Sequence, residues 1–267
     1  MPVIVAPGEL GITFIGHASF LLQIGGLNVL IDPVFAYWLV LLHRFRRPGV
    51  RVRHLPPIHA ILLTHAHMDH LNLPSLRRVL RNNQRLNAPS PIAIVPNNVE
   101  DVVSKVGFAE VRSLARWQST DIRGLKITAT PSQHWGARVF TDVHRGYGGY
   151  VLQHDKHSVY HVGDSGYFTG FKEIGERLAP RIVLMPIGAY KPEGFQRVHM
   201  SPDDAIQALH DLKAESLIPM HYGTFSLSEE PMDEPLPWLL QAADKAGIRA
   251  AIDVLGEGET RVYGRNS

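Results

Sequence analysis

No cysteine occurs among the 267 residues of this chain. That absence excludes a disulfide framework, an iron–sulfur site, a cysteine-based zinc finger and a thiol nucleophile. Charge of one sign is also scarce, because lysine and arginine barely outnumber aspartate and glutamate and the net charge is only +2. Net charge therefore gives no reason to expect a nucleic-acid partner.

Long hydrophobic runs are missing as well. The longest run, Val34 to Leu42, is far shorter than the ~20 residues that a membrane-spanning helix needs. The first residues lack the basic start, apolar run and small-residue cleavage site of a secretory signal peptide. We therefore expect a cytoplasmic protein.

Short β-rich runs separated by Gly, Asn or Pro alternate with helical segments, and this arrangement occurs twice along the chain. We expect one strand over residues 12–24, a turn at Gly25-Gly26, a strand over 60–64 and a helix over 98–106. Interleaved strands and helices predict two sheets packed together with helices outside, in one domain over residues 1–267.

What the sequence has in quantity is histidine, with fifteen residues. Three of them and one aspartate lie within residues 65–70, directly after the predicted strand 60–64. So many donors are costly to desolvate unless a cation compensates them, so the cluster indicates a metal site; the alternative is a solvated polar loop. The spacing does not suit one metal ion. It predicts two adjacent ions that take further ligands from elsewhere.

Further donors follow other predicted strands. His134, Asp164 and His221 each come just after an apolar run, where a rigid scaffold presents ligands on loops. Taken singly, each could be an ordinary surface residue. The candidate metal ligands are His65, His67, Asp69, His70, His134, Asp164 and His221.

Short motifs surround these donors. They are Gly16-His17-Ala18-Ser19, Asp32-Pro33, Gln133-His134-Trp135, Gly163-Asp164-Ser165-Gly166-Tyr167, Pro186-Ile187-Gly188-Ala189-Tyr190, Val198-His199-Met200-Ser201-Pro202 and His221-Tyr222-Gly223-Thr224-Phe225. The donors, in their order along the chain, resemble the signature of the metallo-β-lactamase superfamily. With the motifs, they resemble bacterial relatives of N-acylphosphatidylethanolamine-hydrolysing phospholipase D within it.

The resemblance implies an α+β fold, an αββα sandwich of two packed mixed β-sheets with helices on the outer faces. It also implies a binuclear centre. By the family's pattern His65, His67 and His134 bind the first metal, Asp69, His70 and His221 bind the second, and Asp164 bridges both. Donors of this kind suit Zn²⁺ first, and Fe or Mn also fit them.

The implied activity is hydrolysis of a phosphodiester, of the phospholipase D type, in which a hydroxide bridging the two metals attacks phosphorus. Asp69 is the candidate for orienting that nucleophile or passing its proton. His199 is the candidate for binding a phosphoryl oxygen or protonating the leaving group, unless it merely precedes a helix cap. Two alternatives stay open: hydrolysis of a lactone or β-lactam at the same site, and a metal-stabilised binding or sensing protein without turnover.

Substrate contacts, for a small-molecule or lipid ester, are predicted from these motifs and, for Trp38, from the apolar run Val34 to Leu42. The candidates are His17, Trp135, Tyr190 and Trp38. For the histidine the alternative is a hydrogen bond within a loop, and for Trp135 and Tyr190 it is a place in the core.

Residues 34–47 depart from the family's pattern, because an apolar run there leads into an arginine cluster. Such a segment is typical of a peripheral contact with a membrane surface. Two other interpretations remain: a hydrophobic flap over the metal site, and a contact between subunits of a homo-oligomer.

Overall fold

A computed structural model describes residues 2–139 and 141–264 of the chain. The strands are β1 (Leu10–Gly16), β2 (Ser19–Ile24), β3 (Leu27–Ile31), β4 (Trp38–Leu39), β5 (Leu42–His43), β6 (Ala60–Leu62), β7 (Ile92–Pro96), β8 (Glu110–Leu114), β9 (Ser119–Ile122), β10 (Leu125–Thr130), β11 (Gly149–His154), β12 (His157–His161), β13 (Ile182–Pro186), β14 (Ser216–Met220) and β15 (Thr260–Tyr263). The helices are α1 (Leu73–Arg85), α2 (Glu100–Val103), α3 (Gly170–Leu178), α4 (Pro202–Leu212) and α5 (Pro235–Lys245). None of the described helices is long and apolar enough to cross a membrane.

The strands form two mixed sheets and one small hairpin. The first sheet has the order β15-β1-β2-β3-β6-β7-β8, and the second has the order β14-β13-β12-β11-β10-β9. In each sheet an antiparallel half adjoins a parallel half: β3, β6, β7 and β8 are parallel in the first, and β12, β13 and β14 in the second. The strands β4 and β5 pair only with each other.

Successive side chains along the strands of the first sheet point to opposite faces, and both faces are buried. In β1 the side chains of Ile12 and Phe14 enter the core that also holds residues of the second sheet, whereas Ile15 enters a separate core shared with α1 and α2. The period of two along a strand sends successive side chains to opposite faces. Helices α3, α4 and α5 contribute residues to the core on the second sheet's side. The predicted αββα sandwich is confirmed.

Local sequence predicted some elements wrongly. The single strand expected over residues 12–24 is two strands, because the chain turns at Gly16 and His17, whose φ angles are 125° and 61°. A side chain at Gly16 would also clash, since its Cβ would lie 2.8 Å from Nη2 of Arg44. The helix expected over residues 98–106 is only the short α2. Residues 34–42 predict only an apolar run, whereas the structure has the hairpin of β4 and β5 there.

Strands from both sheets end at the same rim of the sandwich. In the first sheet β1, β3 and β6 run in one direction, and in the second β10, β12 and β14 do so. Hydrogen bonds hold the sheets together there: for example, Tyr150 Oη donates to the carbonyl of Leu63 at 2.9 Å, and the Gly148 amide donates to the carbonyl of Thr64 at 3.1 Å. The loops that leave these six strands are therefore brought together.

We predict that Tyr150→Phe lowers the free energy of unfolding by about 1–3 kcal/mol, because it leaves the buried carbonyl of Leu63 without its partner. Urea unfolding followed by circular dichroism measures this. The control is Tyr37→Phe on the exposed surface, which should change the free energy of unfolding by less than about 0.5 kcal/mol. Equal effects of the two substitutions would contradict the prediction.

Candidate metal centre

The loop after β6 carries the densest group of donors. It turns tightly, with the amides of His70 and Leu71 both donating to the carbonyl of His67, at 3.1 and 2.8 Å. This turn folds the ring of His70 back towards His65, and the two ring centres lie 4.2 Å apart. The tight turn therefore brings the histidines of this loop close together.

One group of donors is made by His65, His67, His134 and Asp164. Their ligand atoms all lie within 4.8 Å of one another. His67 Nδ1 lies 2.9 Å from His65 Nε2 and 3.3 Å from His134 Nε2. These are the three histidines expected for the first metal, together with the expected bridging aspartate.

A second group is made by His17, Asp69, His70 and His221, whose ligand atoms also lie within 4.8 Å of one another. Asp69 Oδ2 is 3.1 Å from His17 Nε2, 3.5 Å from His221 Nε2 and 3.6 Å from His70 Nε2. The structure thus adds His17 to the three residues expected for the second metal. The left-handed backbone at this residue lets its ring face inward, 4.2 Å from the ring of His221.

Asp164 lies between the two groups. Its Oδ1 is 3.2 Å from His70 Nε2, and its Oδ2 is 3.1 Å from His221 Nε2. On the other side, Oδ2 is 3.8 Å from His65 Nε2 and 3.9 Å from His134 Nε2. One buried carboxylate therefore faces donors of both groups, as a bridging ligand would.

Several polar atoms of the site are buried without a hydrogen-bond partner. They are His17 Nδ1, His70 Nε2, Asp164 Oδ1, His199 Nδ1 and both ring nitrogens of His221. Close approach does not satisfy them, since the pair His70 and Asp164 is near but not aligned for a hydrogen bond. Unpaired buried polar atoms are costly, and cations would remove that cost. The donors are imidazole and carboxylate, which suit Zn²⁺ and also Fe or Mn. The residues present fit a pair of metal ions.

Electrostatics points the same way. Burial alone would lower the pKa of His221, but the nearby carboxylates of Asp164 and Asp69 outweigh it and raise that pKa to about 9. For His70 burial is likewise outweighed, by Asp164, Asp69 and Asp32, and its pKa is raised well above the usual value. The buried carboxylates therefore demand positive charge. Protons on two imidazoles supply it when no metal does.

The imidazoles of the first group stay neutral. Burial, together with the neighbouring histidines, holds the pKa values of His65 and His134 well below the ordinary value. A neutral imidazole has the free lone pair that a metal needs. His134 Nδ1 lies 3.1 Å from the carbonyl of Val198, which only accepts, so this nitrogen carries the proton and Nε2 is free towards the site.

Asp32 contacts His70 on the side of the ring that faces away from Asp164. The sequence predicts no role for it, although Asp32-Pro33 is among the motifs. Its fully buried carboxylate accepts from the amide and hydroxyl of Thr64, at 2.8 and 2.6 Å, and lies 2.7 Å from His70 Nδ1. It thereby orients the ring of His70 with Nε2 towards Asp164. A buried aspartate at a strand end was the available signal, but its partner depends on the parallel pairing of β3 and β6.

His199 and two aromatic residues border the site. His199 Nδ1 lies 3.9 Å from Asp164 Oδ2, and the ring of Phe195 stacks on His199 with ring centres 6.3 Å apart. Trp135 is partly exposed and contacts His67 and His134, with ring centres at 5.1 and 4.4 Å. The substrate contact expected for Trp135 stays a prediction. Phe195 was missed because nothing in its local sequence marks it.

The other predicted substrate contacts lie elsewhere. Tyr190 is fully buried, donates to Glu234 at 2.7 Å and packs against Trp238, so its prediction as a wall of the substrate pocket is wrong. His17 is buried among the metal-ligand candidates and offers no surface to a substrate. Trp38 is exposed on the hairpin, where its ring contacts His43.

The sandwich, with its rim of imidazole and carboxylate donors, defines a protein of the metallo-β-lactamase type. The chain belongs to the family described as the beta-lactamase superfamily domain, whose model matches residues 27–222. It is 30% identical to a UPF0173 metal-dependent hydrolase of Methanopyrus kandleri, over 93% of this chain and 98% of that protein.

Two further comparisons extend this. The chain is 29% identical to the mitochondrial N-acyl-phosphatidylethanolamine-hydrolyzing phospholipase D of Saccharomyces cerevisiae, over 89% of this chain and 52% of the yeast protein. It is also similar to the solved structure of Igni18, a metallo hydrolase from Ignicoccus hospitalis, with a TM-score of 0.71 and 24% identity over 96% of this chain and 99% of that one. The structural likeness shows the fold. Together the findings support a metal-dependent hydrolase.

We predict that Asp32→Asn weakens the binding of one of two metal ions roughly 10- to 100-fold. An amide at this position can donate to His70 Nδ1, which moves the ring proton to Nε2 and removes the lone pair that faces Asp164. Chelator competition on the zinc-loaded protein measures the two dissociation constants. Asp155→Asn on the exposed turn between β11 and β12 is the matched control. Unchanged constants in both variants would contradict the prediction.

Proposed function

We propose that this chain is a binuclear metal-dependent hydrolase that cleaves phosphodiesters. The single observation that carries the proposal is the position of the Asp164 carboxylate, which lies within 3.9 Å of imidazole nitrogens of both donor groups. The similarity to the yeast phospholipase D supports a phosphodiester as the substrate class.

Two divalent cations bound by these groups would supply an acidified water and would neutralise charge on phosphoryl oxygens. The protein's part is to hold the remaining groups around the reacting phosphorus. Asp69 keeps an ionised carboxylate, because the neighbouring His70, His17 and His221 outweigh burial and hold its pKa well below the ordinary value. An ionised carboxylate can accept a hydrogen bond from the attacking water or take its proton.

In this proposal His199 acts on a phosphoryl oxygen of the substrate, whereas Asp69 acts on the attacking water. Burial lowers its pKa to about 4, so it is neutral near pH 7 and carries one ring proton. Its backbone amide donates to the carbonyl of Phe195 at 2.9 Å, which holds the residue at the edge of the site. A neutral imidazole held there can donate its proton in a hydrogen bond to a phosphoryl oxygen, and stabilise charge that develops on it.

We predict that zinc-loaded protein hydrolyses bis(p-nitrophenyl) phosphate and that His199→Gln lowers kcat roughly 100-fold or more, with both metals retained. Release of p-nitrophenolate measures the rate, and metal analysis measures occupancy. The control is His210→Gln on the exposed face of α4, which should leave kcat unchanged. A His199→Gln variant with full activity would refute the role of this residue.

A second test addresses the centre itself. We expect chelator treatment, and separately His67→Ala and Asp164→Ala, to reduce both metal content and turnover, and Zn²⁺ to restore only the chelated wild-type protein. Phosphodiester hydrolysis that survives both substitutions would overturn the proposed centre. A panel of phosphodiesters, lactones and β-lactams separates substrate classes. Two tightly bound metals with no turnover on any of them would indicate a binding or sensing protein instead.

A further inference from the structure

The hairpin of β4 and β5 exposes an apolar tip. Trp38 is 61% exposed, Val40 74% and Leu41 86%, and Phe45 follows them on the surface. Val40 also has a φ of 53°, a left-handed conformation that is unfavourable for a β-branched residue. Neither the exposed apolar area nor this backbone stabilises the fold. A contact outside the described chain explains the tip better than packing within it does.

The base of the hairpin is firmly attached to the protein. The buried guanidinium of Arg44 donates to the carbonyls of Val34 and Arg46, both at 2.8 Å, and the amide of Phe45 donates to the carbonyl of Thr224 at 2.8 Å. Leu39 packs into a small core with Val34. The tip is therefore held away from the surface, because its anchoring side chains point inward while Val40 and Leu41 remain exposed. A flap folded over the metal centre would bury those two residues.

The hairpin stands beside the metal centre. Phe225, which packs with Leu39 at the hairpin's base, contacts the ring of His17 with ring centres 5.2 Å apart. Around the other donors, Trp135 and Phe195 are partly exposed next to His134 and His199. Exposed apolar side chains thus border the candidate site from two separate segments.

Arginines follow the apolar tip. Arg47, Arg51 and Arg53 are exposed, and none of the three forms an ion pair with any residue in the described part of the chain. Arg51 and Arg53 also line a cavity of about 330 Å³ together with Arg78 and with Tyr37, the residue just before β4. Free positive charge is therefore concentrated at the foot of the hairpin, on the side of Tyr37.

We propose that this hairpin binds the surface of an anionic lipid bilayer. Trp38, Val40 and Leu41 enter the boundary between headgroups and acyl chains, and the arginines contact lipid phosphates. A second copy of the chain fits less well. A tip of a few side chains provides much less than the ~800 Å² per partner that a stable protein interface buries. Binding is measured without turnover, so failure of this proposal and failure of the proposed hydrolysis are separate results.

The test is co-sedimentation of the zinc-loaded protein with vesicles. One set contains phosphatidylcholine alone, and the other contains equal amounts of phosphatidylcholine and phosphatidylglycerol. We expect binding to the anionic vesicles, a loss of roughly tenfold or more in partitioning for V40S/L41S, and no loss for Ile4→Ser. Ile4 is the matched control, since it is 88% exposed and lies on the N-terminal segment beside the turn between β2 and β3.

Charge and self-association supply the remaining outcomes. We expect R47Q/R51Q to weaken binding to the anionic vesicles and to leave any binding to phosphatidylcholine unchanged. Equal binding by V40S/L41S and the wild-type protein would overturn the proposal. A second outcome would also overturn it: the wild-type protein binds neither kind of vesicle but sediments as a dimer, and V40S/L41S disrupts that dimer. The tip would then be a subunit contact.

Discussion

The buried carboxylate of Asp164, placed between two groups of imidazoles, is the contact on which the rest of the structure depends. A negative charge at this depth is stable only beside positive charge. Asp69 and Asp32 add two more carboxylates around His70. Metal ions meet that demand most fully, and protonated His70 and His221 meet part of it. The site is therefore built around compensation of charge, and its geometry has to keep the donors close against their mutual repulsion.

Contacts between the two sheets provide that constraint. Tyr150 bonds the end of β6 across the sandwich, and the amide of His221 donates to the carbonyl of His17 at 3.0 Å. Fully buried His161 lies 2.9 Å from the carbonyl of Ala18 and accepts from the amide of Gly163 at 3.2 Å. Its two nitrogens thus join the turn after β1 to the residue before Asp164. Several donor loops are thus held by contacts with the opposite sheet, so the centre and the packing of the sandwich depend on each other.

Sequence predicted the parts of this centre that short spacing or a known motif encodes. The cluster at residues 65–70 was visible because one tight turn brings its donors together, and the distant donors were visible through the family's motifs. The sequence did not predict three other features: the inward position of His17, the contact of Asp32 with His70 and the contact of Phe195 with His199. Each depends on which strands or loops become neighbours. Tyr190 was misassigned for a related reason. A motif gives an aromatic residue's position along the chain but not the side on which its ring is buried.

The hairpin of β4 and β5 shows what composition alone cannot predict. Its composition indicated an interfacial segment, but composition could not separate a flap from a projecting tip. The exposure of Val40 and Leu41 decides between them, while the buried Arg44, which donates to two carbonyls, fixes the base of the hairpin. The rim therefore combines two unusual features in one small area. Its polar donors are buried, and the apolar side chains beside them are exposed. For the proposed hydrolase, a substrate with an anionic group next to an apolar body would complement both, since cations held by the donors would attract the anionic group and the exposed apolar side chains would contact the apolar body.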